Sequence, residues 1–424
     1  MRRLLALVLA SLAASTAAQD CSITSQNTTV YRTLQDWYYW YRFLPEASPT
    51  TFADPEALLD TVRYRPLDNT FSYISTAAAS QAFYGESQYL GFGFSMKFTV
   101  GYELRVTDVF PPPPPPSGLR PRQRNPHHQR QVGAEDLRGW RVEHHLGRRR
   151  GRLLGGSGLQ ERRGPDEVRT DRQARGDDST VPLATVLEAG GKKTGYIVFK
   201  NFVEPSYAAL DAAFAQLRDA GATELVLDLR YNGGGLIAVA QYLGGLIGGD
   251  RTSGEVFAQY VHNDKRSDRN NAIRFPRPAG AFPLNRLIVI TTRSSASASE
   301  LIINALKPFI PVIVVGDNSY GKPVGQYGFR VCEKMLWPVS FNVQNARNQG
   351  DYFDGFAPDC RAADDIGHAL GDPREASLAT ALNFLATGAC PVAATGRTAL
   401  ELDRPGPAVG AHRENGWQAL RVAY

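Results

Sequence analysis

Three short runs constrain this chain most: 224–229 (ELVLDL), 286–291 (RLIVIT) and 312–315 (VIVV). Each is apolar at nearly every position rather than at alternate ones. A strand can carry that pattern only where both faces of its sheet are covered, as for parallel strands flanked by helices. Helical patterning falls between and around them, at 207–219, 236–247 and 298–306. Further strands are predicted at 195–202 (GYIVFKNF), 325–332 and 336–343. The order strand, helix, strand, helix predicts a layered α/β domain over 181–390.

The chain ahead of this domain reads differently. Residues 33–73 are rich in aromatics, with Trp37, Tyr38, Tyr39, Trp40, Tyr41 and Phe43 close together. Such a run predicts core packing rather than a ligand platform. Asp54 followed by Pro55 is a helix start, with the carboxylate as cap and the proline at the first helical position. A small helical domain is therefore expected over 19–84. Residues 88–110 then alternate in strand fashion.

The alternation stops at six consecutive prolines, 111–116. From 111 to 178 there is no apolar period of either 2 or 3.6, and the only aromatic is Trp140. This stretch holds 15 Arg, no Lys and 9 acids, a net +6, whereas the whole chain of 424 residues is only +5. The basic balance thus belongs to one segment, and nucleic-acid binding is not expected. Pro, Arg and Gly without Lys are what a shifted reading frame in GC-rich DNA would give. The alternative is a disordered insert with a polyproline II start.

Arg2 and Arg3 precede an apolar run, 4–14, and then small residues, 15–18. That is the layout of a secretory signal peptide over 1–18, too short to span a bilayer. It predicts export to the periplasm or the exterior and no stable membrane span. The cysteines, Cys21, Cys332, Cys360 and Cys390, are then disulfide candidates. Their spacing suits no zinc site, and no metal is expected. Cys332 and Cys360 flank two turn signals, at 348–351 and 354–355, and are expected to pair.

Chemistry concentrates in three turns that follow the buried strands, where active groups of open α/β sheets gather. Residues 294–300 (SSASASE) lie between a strand and a helix. A hydroxyl there can cap the helix, or serve as a nucleophile beside N–H groups that favour developing negative charge. At 319–323 (SYGKP), Lys322 is either a surface lysine or a base in a dry pocket. The glycines at 233–235 lack the following Lys-Ser of a phosphate loop, and can instead aim backbone N–H groups at a carbonyl oxygen.

Together the stretches 225–235, 295–300 and 316–326 resemble the carboxyl-terminal processing, or tail-specific, serine proteases, which use a Ser-Lys dyad and carry a PDZ domain. The resemblance runs over about 195–330. It implies that Ser297 is the nucleophile, Lys322, 25 residues later, the general base, and Gln326 its support. It implies an oxyanion hole from the N–H groups of Gly234 and Ala298. It further implies a ClpP- and crotonase-like sheet for the catalytic domain. Leu90, Gly91, Phe92 and Gly93 resemble the carboxylate-binding loop that opens a PDZ domain. A PDZ-like β domain is thus expected over 85–180, degraded because 111–178 lacks the apolar residues of a core, with a tail at 391–424. The sequence departs from the family pattern at Gly233, where proline is frequent, and at Pro323, where glycine is frequent.

The chemistry holds together without the name. A serine hydroxyl is a poor nucleophile until a base takes its proton. A solvated lysine is protonated at neutral pH, and burial disfavours its ammonium form. Such a dyad requires no histidine, metal or cofactor, and His262, His368 and His412 match no motif. Asp228 and Arg230 read as a pair that braces the turn. The expected function is an exported endopeptidase acting on polypeptides. The alternatives are a peptide-binding relative, catalytically impaired because its PDZ-like gating domain is disrupted, and a crotonase-like acyl-CoA enzyme, which the signal peptide and the Ser/Lys spacing oppose.

Overall fold

The computed structural model describes residues 20–86, 90–91, 94–98, 104–109, 174–175 and 179–391. The signal-peptide expectation, Phe92, Gly93, residues 111–173 and the tail from 392 lie outside the described residues.

In chain order, helices α1 (Ile23–Trp37) and α2 (Pro55–Val62) are followed by strand β1 (Tyr73–Thr76) and helix α3 (Ala77–Glu86). Asp54 caps α2 by accepting the Ala57 N–H at 2.7 Å, with Pro55 in the first turn, as the sequence predicts. Tyr38 and Trp40 are buried with Leu34, Leu58 and Val62, so most of the aromatic run is core. Phe43 is not; it is 59% exposed and stacks on Tyr64.

Four short strands come next: β2 (Leu90–Gly91), β3 (Phe94–Phe98), β4 (Leu104–Val109) and β5 (Ala174–Arg175). β3 and β4 form an antiparallel hairpin, and β2 pairs with β5. These pairings are β structure in the expected region, but two short ribbons do not establish a PDZ domain.

The main domain runs β6 (Leu183–Ala189), β7 (Lys192–Val198), α4 (Ser206–Asp219), β8 (Glu224–Asp228), α5 (Ile237–Gly248), β9 (Val256–His262) and β10 (Asn271–Arg274). It continues through β11 (Leu287–Thr291), α6 (Ala298–Leu306), β12 (Val312–Gly316), β13 (Val324–Gln326), β14 (Phe329–Val331), β15 (Lys334–Trp337), β16 (Val339–Gln344), β17 (Cys360–Arg361) and α7 (Ala376–Thr387). The central sheet has the order β17-β12-β11-β8-β7-β6. All its pairings are parallel except β6 with β7.

The unbroken apolar runs now have their reason. Leu225, Leu227, Leu287, Val289, Val312 and Val314 face one core with α4, α5 and α6. Their neighbours Val226, Ile288, Ile290, Ile313 and Val315 face the other, against Leu378, Ala381 and Leu385 of α7. Two further sheets pack beside it, β10-β9-β16-β13 and β1-β15-β14.

The strands expected at 325–332 and 336–343 are each broken in two. β13 and β16 belong to one sheet, β14 and β15 to the other, so the chain changes sheets within each run. The second break falls at Pro338, which has no N–H to donate to a ladder. Because β15 pairs with β1, the helical N-terminal region is stitched to the α/β half.

The expected Cys332–Cys360 disulfide is wrong. Cys21 bonds Cys332 and Cys360 bonds Cys390, with Cα–Cα distances of 5.9 and 5.3 Å. Proximity along the chain misleads here. Cys332 lies in the β14–β15 turn, near the start of α1, whereas Cys360 lies on the central sheet, near the end of α7. No described helix is long and apolar enough to cross a membrane.

Candidate active site

Strands β8, β11 and β12 are parallel, so their C-terminal ends emerge on one edge of the sheet. The three turns singled out in the sequence follow these three ends and are tied together by hydrogen bonds. Asn232, in the turn after β8, is buried at the junction. Its main-chain carbonyl accepts the Ala296 N–H and the Ser299 hydroxyl, at 3.0 and 2.9 Å. Its side-chain amide donates to the Phe199 carbonyl at 2.9 Å. Ser295 donates its hydroxyl to the Leu229 carbonyl at 2.7 Å. These serines are braces, which accounts for most of the serine-rich turn.

Ser297 is different. It is the N-cap of α6, half-buried, with φ +56° and ψ −114°. Non-glycine residues rarely occupy that region, and such strain persists only where surrounding contacts impose it. Gly234 is among those contacts. Its φ is +102°, and a Cβ there would stand 2.8 Å from the Ala296 carbonyl oxygen, the Ala298 nitrogen and the Ser297 Cβ. Only a glycine lets the two turns approach this closely.

Glu300 organises the other half. It lies one turn into α6, fully buried, and its two oxygens accept four donors. Oε2 takes the N–H groups of Ser297 at 3.0 Å and Lys322 at 2.8 Å. Oε1 takes the Gly321 N–H and the Ser319 hydroxyl, both at 2.6 Å. Burial pushes the Glu300 carboxyl up to about 7, against the four donors, which pull it down. In the sequence Glu300 stands only as part of the serine motif. A carboxylate three positions after a helix-capping serine is the signal that could have found it.

Lys322 is 8% exposed. Its Nζ donates to Gln326 Oε1 at 2.6 Å. Gln326 in turn donates through Nε2 to the carbonyls of Phe71 and Trp337, at 2.7 and 2.6 Å. Both ends of the amide are thereby assigned, because only the NH2 end can satisfy two carbonyl acceptors.

The structure brings the Gly234 turn against the Ser297–Ala298 turn, and Lys322 of the next turn to Gln326 on β13. One assignment meets an obstacle. The Gly234 N–H is already donated to Asn232 Oδ1 at 2.9 Å. An oxyanion role for it requires that side chain to swing away, whereas the Ala298 N–H belongs to the first turn of α6, which the helix cannot satisfy internally. Leu90 and Gly91 lie on β2, away from these three turns in sequence. Arg230 bonds Asp228 and, at 2.7 Å, Glu375, the N-cap of α7, so that pair is a brace and reaches further than the turn.

Comparison with known proteins gives the same direction. The profile of peptidase family S41 matches residues 193–361, and that of the peptidase S41 N-terminal domain matches 25–73. The carboxy-terminal processing protease CtpB of Bacillus subtilis is 31% identical over 147 residues, 34% of this chain and 29% of that protein. A carboxyl-terminal-processing protease of Picosynechococcus is 29% identical over 167 residues, 39% of this chain and 38% of that protein. The chain's match thus spans about a third of the length of these relatives. A Bacteroides fragilis structure described as an S41 protease superposes with TM-score 0.62 at 24% identity. It covers 85% of this chain and 97% of that one, a likeness of fold.

Proposed function

We propose that this chain, which belongs to peptidase family S41, is an exported serine endopeptidase of the C-terminal processing type, acting on polypeptides. Ser297 is the nucleophile and Lys322 the general base. As Ser297 Oγ attacks the scissile carbonyl carbon, Lys322 Nζ takes its proton, and the carbonyl π electrons move onto oxygen. The Ala298 N–H, at the positive end of α6, stabilises that oxyanion. Collapse expels the amine, which takes the proton back from Lys322 and leaves an acyl-serine ester. Water, deprotonated by Lys322, then attacks the ester, and the proton returns to Ser297 Oγ as the acid product leaves.

The observation that carries this reading is the setting of Lys322. Its amine is removed from water and held by Gln326 Oε1, on a loop whose backbone shares the Glu300 carboxylate with Ser297. Removal from water disfavours the ammonium form and leaves neutral amine available as a base. Export is supported by two disulfides, which persist in oxidising compartments.

A fluorophosphonate probe followed by peptide mapping tests the assignment. Label on Ser297, absent in Ser297→Ala and in Lys322→Ala, is the expected result. Label on another serine, or peptide turnover that survives Ser297→Ala, overturns it.

A further inference from the structure

Lys322 and Gln326 are not supported by the catalytic half alone. Phe71, from the segment joining α2 to β1, reaches them in two ways. Its carbonyl accepts the Gln326 Nε2–H at 2.7 Å. Its ring, itself buried, has its centroid 5.8 Å from Lys322 Nζ. The same ring meets Tyr320, two residues before Lys322, edge-on at 5.9 Å. Its neighbours hold it there: Thr70 and Tyr320 bond through their hydroxyls at 2.8 Å, and the Ser72 hydroxyl accepts the Val339 N–H at 2.9 Å. Behind it the buried Asp68 takes Ser72 N–H and Oγ–H and the Tyr38 hydroxyl.

From this geometry we infer that Phe71 is a positioning residue for the general base: its carbonyl fixes which end of Gln326 faces Lys322, and its ring keeps water from the amine. The N-terminal region is thereby part of the catalytic apparatus, not a separate module. The two effects of the ring oppose each other. Its π face favours an ammonium ion, whereas its apolar bulk disfavours one. At 5.8 Å the amine stands at the limit of useful cation–π distance, about 6 Å. Exclusion of water therefore dominates, and loss of the ring makes the lysine harder to deprotonate.

The titratable and charged groups on the elements packed here are Glu300 of α6, Tyr320 and Arg293 of the flanking turns, Tyr352 close to Glu300, Asp68 with Tyr38 behind Phe71, and Arg63, which donates to the Ser72 carbonyl. Replacing Phe71 removes none of them, so a changed pH profile reports the cover over the amine.

The inference rests on the Ser297–Lys322 reading, and the test separates the two. The pH dependence of kcat/KM on a peptide substrate is measured for the full chain and for Phe71→Ala and Phe71→Leu. In Phe71→Ala the acid limb should move up by about one pH unit and kcat fall about ten-fold, with KM nearly unchanged. Phe71→Leu, which restores apolar cover without the π face, should recover most of both. If the full chain turns over and Phe71→Leu and Phe71→Ala, both folded by circular dichroism, keep its acid limb, the inference is wrong while the dyad stands. If Phe71→Ala fails to fold, Phe71→Thr, smaller and polar, takes its place: an acid limb at least about 0.5 unit above that of Phe71→Leu upholds the inference, and an acid limb equal to that of Phe71→Leu overturns it. A full chain with no turnover and no labelled Ser297 overturns both.

Discussion

Ser297 and Lys322 donate their backbone N–H groups to the same oxygen, Oε2 of Glu300, at 3.0 and 2.8 Å. In the proposed dyad, nucleophile and base must keep a fixed separation while a proton passes between them. Tying both main chains to one buried atom meets that need without restricting either side chain. It also makes Glu300, which touches neither reacting atom through its own chemistry, the residue on which the separation depends.

Glu300 accordingly gives the clearest pH prediction. Its carboxyl lies near 7 in the folded chain and near 4.5 in the unfolded one. Below pH 4.5 both states hold the proton. As pH rises to about 7 the unfolded chain loses it first, so this group makes the fold less stable across that window, by roughly 3 kcal/mol in total. Urea midpoints measured from pH 4 to 8 should show a component of this sign that is absent in Glu300→Gln. The same substitution turns an acceptor oxygen into an NH2 facing N–H donors, so it should also lower the midpoint at pH 8 by more than about 1 kcal/mol equivalent. An unchanged pH slope in the variant would contradict the assignment.

Gln326 and Lys322 should separate in size of effect. Lys322→Ala removes the proton acceptor and should lower kcat/KM by about a thousand-fold or more. Gln326→Ala leaves the amine in place but loose, and about a ten-fold loss is expected, near 1.4 kcal/mol in the barrier. Single-turnover kinetics on an ester substrate compare the two directly. Equal losses would mean that Gln326 does more than orient.

How far the sequence carried can be judged from these same residues. The turns that hold Ser297 and Lys322 were legible because they lie between strands whose apolar runs announce themselves. α6 was placed at Ala298–Leu306 for the same reason. What could not be read were contacts between distant parts of the chain. Phe71 meets Gln326 across 255 positions, and Cys21 meets Cys332 across 311. No local period encodes either meeting; the first follows from the pairing of β1 with β15, the second from α1 lying against β14. The occupied N–H of Gly234 was equally hidden, because a side chain two residues earlier takes it.

Gly234→Ala tests the approach of the first two turns. The substitution would set a methyl 2.8 Å from three atoms of the 296–298 turn, two of them backbone, at a φ that alanine rarely adopts. Relief requires the Ser297 turn to move. The variant should lose at least about 2 kcal/mol of stability and nearly all fluorophosphonate labelling. Calorimetry and labelling read the two effects separately. A variant as stable as the parent, with full labelling, would show that the turns have more room than the geometry allows.

The disulfides supply the last prediction. Non-reducing peptide mapping of protein produced under oxidising conditions should give Cys21 joined to Cys332 and Cys360 joined to Cys390, and no Cys332–Cys360 peptide. The two bonds should also differ in consequence. Cys360–Cys390 closes a short loop, with a separation of 30, and joins the edge strand β17 to the end of α7, on the face opposite α6. By the chain-entropy model it adds roughly 3–4 kcal/mol of stability. Its loss in Cys390→Ser should lower the melting temperature and spare kcat. Cys21–Cys332 anchors the start of α1 to the hairpin whose second strand, β15, carries the Trp337 carbonyl that holds Gln326. Its loss in Cys21→Ser should lower kcat as well as stability, because the support of the base loosens with the hairpin. A Cys21→Ser enzyme with parental kcat would uncouple the N-terminal anchor from the active site.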